Sequence, residues 1–142
     1  MGETKAICLR FMGLIDAHKV EEAAALCAPD ARFTVSGLGE ADLPTWKHFA
    51  TAMVGAVPDT KHAVSNVVEA GDQTFLEFRW QGTHTQPLLS PQGEIPATGK
   101  RIDVRCSAVF EIEAGRITAE RGYFDQVEFL TQLGLMPAPV SA

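Results

Sequence analysis

The chain has 142 residues, 46% hydrophobic and 21% charged, enough for one compact domain over 1–142 that buries roughly two-thirds of its unfolded surface. Twelve Lys and Arg against 18 Asp and Glu give a net charge of −6, which repels phosphate backbones and anionic headgroups. Nucleic acid and membrane are therefore not expected partners, and a small, uncharged hydrophobic molecule is.

In chain order, Ile7, Phe11, Leu14, Ile15 and His18 recur at helical spacing, and Val20 to Cys27 continue a second short helix that Pro29 is expected to end. Residues 31–35 form a short β-prone stretch, and 36–40 carry two glycines. Trp46, Phe49, Ala50, Met53, Val54 and Val57 then mark a third amphipathic helix that stops before Pro58. Trp46, Phe49 and Met53 are read as core, with pocket lining as the second reading.

From residue 61 the hydrophobic period changes to two, predicting four strands over 61–70, 73–83, 101–113 and 116–124. Gly71-Asp72 and Ala114-Gly115 are hairpin turns, so the neighbours they join run antiparallel. Residues 85–99, with three prolines and two glycines, are expected to be a long surface loop. Asp125 starts a last short helix as its N-cap, with Glu128 three residues on, and Gly134 closes it. Helices first and a long antiparallel sheet afterwards predict an α+β fold in which a curved sheet wraps the N-terminal helices around a central cavity.

Cys8, Cys27 and Cys106 are odd in number and widely spaced among apolar neighbours. They read as small core residues in a reducing compartment, not as a disulfide framework or thiolate metal site. Glu3, Lys5 and Arg10 interrupt any N-terminal apolar run, and no other stretch approaches the roughly 20 apolar residues of a membrane span, so the expected location is the cytoplasm. His18, His48 and His62 have no companion at metal-ligand spacing and are expected at the surface or its boundary; no metal and no cofactor is expected. Gly37 and Gly39 lack the third glycine of a dinucleotide loop.

The blocks "GTHTQP" at 82–87, "IPATGKRIDV" at 95–104, "VFEIEAGRI" at 109–117 and "ERGYFDQVEFLTQLGLMP" at 120–137 resemble, in order and spacing, the C-terminal half of SnoaL-like proteins. That family holds polyketide cyclases and ketosteroid-isomerase-related proteins on the nuclear transport factor two-like cone. The resemblance implies the cone, its cavity and a homodimer; it does not by itself fix a chemistry. Carried over from ketosteroid isomerases, the general base falls on Val35, the oxyanion tyrosine on Phe11 and the protonated acid on or near Ala108, none of which transfers a proton. Carried over from limonene-epoxide hydrolases, only the relay arginine is matched, by Arg79, while its partners fall on Gln81, Gly122, Phe33 and Val35. The acid–base aspartate of SnoaL-type cyclases is matched by Asp125.

The resemblance thus points to cofactor-free acid–base cyclisation or isomerisation of a hydrophobic, polyketide- or terpenoid-like carbonyl compound. Asp125 is the expected acid and base and Arg79 the donor to the carbonyl oxygen. His84 and Gln81 would make polar contacts, and Phe11, Phe33, Val35, Cys106, Ala108 and Phe124 would line the cavity. A non-catalytic binding protein of the same fold is the alternative. Arg79 and Gln81 inside would put Leu76, Phe78 and Trp80 on the outer face for a second copy to cover. Asp125 as a helix cap alone, Glu77–Arg79 as a solvated pair and His84 as an anchor of the long loop are the corresponding structural readings. On the last long strand, parity puts Gly122 and Phe124 inside and Tyr123 outside.

Overall fold

The computed structural model describes residues 3–90 and 93–137. Two helices open it, α1 (Glu3–Asp16) and α2 (Val20–Ala24), followed by strand β1 (Cys27–Val35), a short β2 (Gly39–Ala41) and helix α3 (Leu43–Ala56). Asp42 caps α3 by accepting the Thr45 N–H at 2.9 Å, and Pro44 sits in the first turn, where no backbone donor is needed. Pro29 does not end a helix. It lies in the irregular stretch of β1 between Cys27 and Arg32, where a missing ladder donor is tolerated.

The long strands fall where the period of two places them: β3 (Lys61–Ala70), β4 (Gln73–Thr83), and, after a hairpin of β5 (Leu88–Ser90) and β6 (Gly93–Ile95), β7 (Arg101–Glu113) and β8 (Arg116–Phe124). The hairpin replaces the expected plain loop, because three-residue strands between prolines are too short to show a period. Ala114 and Gly115 both take positive φ, 51° and 75°, the geometry that a tight two-residue turn between right-twisted strands requires. Helix α4 (Gln126–Gln132) closes the described fold.

Six strands form one curved, open sheet in the order β2-β1-β8-β7-β4-β3, antiparallel throughout except where β1 runs parallel to β8. This is the α+β architecture that the sequence predicts. Its concave face carries two apolar clusters. In the first, Trp46 of α3 is stacked between Phe11 and Phe33, with ring centroids 5.1 and 5.0 Å away, and Phe110 meets Phe11 edge-on. The second gathers Trp80, Phe129, Ile102 and Val104, with Phe124 against it. Between them lies the cavity.

The faces of β4 are the reverse of the expectation above. Leu76 and Trp80 are 2% and 6% exposed on the concave side, so they are not available to a second copy, while Glu77 and Arg79 lie on the convex side. Desolvation decides it: three large apolar side chains gain several kcal/mol by burial, whereas an ion pair loses by it. The convex face has half-exposed apolar groups of its own, Val68, Phe75 and Tyr123. No helix among the described residues is long and apolar enough to cross a membrane.

Candidate functional site

A cavity of about 120 Å³ opens between the two clusters. Trp46, Phe49 and Met53 of α3 form one wall, Phe78 and Trp80 of β4 another, and Val35, Gly122 and Phe124 a third. Phe49 and Met53 are one helical turn apart and so share a face. The volume is on the order of the ~150 Å³ apolar cavity that admits a single benzene ring.

Two ionisable side chains, His62 and Glu120, stand in this mostly apolar wall beside Cys106, Ser107 and Tyr123. His62 on β3 lines the cavity, and α1 packs across β3 so that Asp16, in the last helical position, reaches it. One Asp16 oxygen accepts the backbone N–H of His62 at 2.9 Å, and the other lies 2.5 Å from the ring Nδ1. A carboxylate only accepts, so Nδ1 carries a hydrogen, and in the neutral ring this tautomer places the lone pair on Nε2. Phe78 packs beside the ring, centroids 5.3 Å apart.

Glu120 enters from β8, with β7 and β4 between it and β3, and the curl of the sheet brings both residues onto one cavity. Among the described residues no hydrogen bond or ion pair reaches its carboxyl. Burial against apolar neighbours pushes its pKa up from an ordinary 4.5 to about 7, so near neutral pH a large fraction of it keeps its proton and can donate to an oxygen. Cys106, also in the wall, is held as a neutral thiol, pushed by burial up to about 12. Among the described residues no cluster of three or more His, Cys, Asp or Glu is arranged to hold a metal ion.

Of the expected lining residues, Val35, Cys106 and Phe124 face the cavity. Phe11, Phe33 and Ala108 are buried one layer behind it, in the cluster around Trp46. Parity along β8 holds: Phe124 and Gly122 are inside and the Tyr123 side chain is half exposed. The expected polar residues lie elsewhere. Asp125 is an exposed N-cap, its carboxylate accepting from the Val127 and Glu128 N–H groups at 2.8 and 3.2 Å. Arg79 pairs on the convex face with Asp103 at 3.2 Å, and Gln81 contacts the same carboxylate.

His84 is 1% exposed and serves the 85–99 segment. Its Nδ1 accepts the Thr98 N–H at 3.3 Å, and its backbone pairs with Lys100 and Gly99. Burial lowers its pKa, keeping the ring neutral.

His62, expected at the surface or its boundary, and Glu120 both line the cavity. Glu120 shares the parity of Gly122 and Phe124, a signal present but unused. His62 has its companion 46 residues upstream, where no spacing motif connects them.

The model of the SnoaL-like polyketide cyclase family matches residues 6–133. Among solved structures, the chain is similar to a candidate SnoaL-like polyketide cyclase from Jannaschia sp. CCS1, with 18% identity over 95% of this chain and 94% of that one and a TM-score of 0.81. It is likewise similar to IdmH, a candidate polyketide cyclase from Streptomyces antibioticus, with 21% identity over 92% and 98% and a TM-score of 0.79. AclR, a candidate hydroxylase from Streptomyces galilaeus, shares 18% identity over 99% and 86% at a TM-score of 0.85. No curated protein matches the chain. At such identities the likeness speaks to fold alone. The matched span takes in the whole six-stranded sheet and all four helices but the first three residues of α1. The chain belongs to the SnoaL-like polyketide cyclase family.

Proposed function

We propose that the protein is a cofactor-free acid–base catalyst that cyclises or isomerises a hydrophobic carbonyl compound, with His62 and Glu120 as its proton-handling pair and Asp16 positioning His62. One observation carries the reading: in a mostly apolar cavity that also carries Cys106, Ser107 and Tyr123, an imidazole whose Nδ1 is held by Asp16 and a carboxyl whose pKa is raised to about 7 line the same space. Proton transfer by such a positioned pair contributes about 10²–10⁴-fold per group.

In this reading Nε2 of His62 removes a proton from the carbon beside the carbonyl. The electron pair moves onto the carbonyl oxygen, which takes a hydrogen bond from protonated Glu120. The enolate carbon then either bonds to a second carbonyl of the same molecule, whose oxygen takes the proton held by His62, or is reprotonated by His62 at a conjugated position. The first outcome closes a ring and the second moves a double bond. Asp16 keeps the imidazole in the required tautomer and stabilises the imidazolium that forms.

The test needs no knowledge of the natural substrate. Deuterium exchange at the methyl group of acetophenone in D₂O, followed by NMR, is expected to run at least a hundredfold faster with the protein than with equal free imidazole and acetate. A ketone that binds without exchanging overturns the catalytic reading and leaves a binding protein.

A further inference from the structure

Beside the cavity lies a second one, of about 160 Å³, under the β5–β6 hairpin. Leu88, Leu89 and Ile95 of the hairpin roof it, and Phe129 and Leu130 of α4 form its floor. It shares Phe49, Met53 and Phe124 with the inner cavity, so these three residues stand between the two. Met53 is the adaptable member: an unbranched thioether with three rotatable bonds moves out of such a partition at small cost.

The lining of the second chamber contains no charged residue. Its polar groups are Ser36, whose hydroxyl already accepts the Phe124 N–H at 3.1 Å, and the Gln126 amide. That amide lies against Gly37, where a Cβ would come within 2.3 Å of its nitrogen, so the turn is cut away to let a neutral donor and acceptor sit at the chamber edge. Gly37 has φ +85°, which makes a side chain there strained as well.

We infer that the outer chamber is a second subsite of the same ligand: it holds an uncharged ring attached to the carbonyl-bearing ring that the inner cavity takes. Each chamber has the volume of about one ring, and the shared partition lets one elongated molecule thread both. This assignment rests on the reading of the inner cavity as the carbonyl site, but concerns binding and not turnover. Hydrophobic burial of a second ring is worth well over tenfold in affinity where the chamber is preformed.

Affinity is read by isothermal titration calorimetry, which a new tryptophan in the outer chamber does not disturb. Acetophenone and 4-acetylbiphenyl are titrated into the wild-type protein, Leu130→Trp, which fills the outer chamber, and Leu130→Ala, which enlarges it. The biphenyl ketone is expected to bind at least tenfold more tightly than acetophenone in the wild type. That preference falls below twofold in Leu130→Trp and persists in Leu130→Ala. A two-ring ketone that binds no better than the one-ring ketone, or a preference that survives Leu130→Trp or is lost in both variants alike, overturns the subsite. Failure of α-exchange with the affinity pattern intact defeats the catalytic proposal and spares this one.

Discussion

The two faces of one sheet treat charge in opposite ways. On the convex side, Arg79–Asp103, Arg105–Glu128 and Arg121–Glu111 are paired in or near solvent, where an ion pair contributes roughly 0–1 kcal/mol and the fold would survive without it. On the concave side, among the described residues, Glu120 has no such partner and His62 has Asp16, set in a mostly apolar wall. Charge outside is inexpensive. Inside it costs the fold stability and shifts protonation, as the raised pKa of Glu120 shows.

Substitutions at four positions break or sharpen that contrast. The largest effect belongs to His62→Ala, expected to slow acetophenone exchange about 10²–10⁴-fold while leaving the far-ultraviolet circular dichroism unchanged. Next is Glu120→Gln. Because the folded-state pKa is raised, the contribution of Glu120 to wild-type stability is fully present below pH 4.5 and is lost as the pH rises through about 7. Glutamine cannot ionise, so chemical denaturation at pH 9 should show the variant roughly 2–3 kcal/mol more stable than wild type, with little difference at pH 4. Wild-type exchange should also decline above pH 7, and that decline should vanish in the variant, which keeps a hydrogen-bond donor.

The smallest effects are those of the convex side and the cap. Asp125→Ala is expected to cost about 1 kcal/mol through the lost N-cap, and Arg79→Ala less than about 0.5 kcal/mol, both read from melting curves. Exchange rates within twofold of wild type in both would separate the two faces cleanly. A hundredfold loss in Asp125→Asn would instead return the chemistry to the helix cap.

The strand pattern carries through from sequence to structure almost residue for residue, because a period of two is local and half-buried strands must obey it. The cap of α4, the two hairpin turns and the parity of β8 are legible for the same reason: each is decided within four residues. The side of β4 that faces inward is not local. Alternation alone yields two faces without saying which is concave, and placing Arg79 by family position sends it inside against the cost of desolvation. The Asp16–His62 contact depends on how α1 crosses β3, which no window of the sequence contains. The β5–β6 hairpin escapes notice because its strands are held by packing on α3 and not by their own pattern.

The one parallel pairing in the sheet has a consequence for how the molecule comes into being. Val35 lies beside Gly122 and Phe33 beside Glu120, so a strand made early waits for one made near the end. Contacts of such long sequence separation form slowly, since the closure of the intervening chain must precede any gain from pairing. A ribosome-bound chain that has not released β8 therefore lacks both α4 and the wall that carries Glu120.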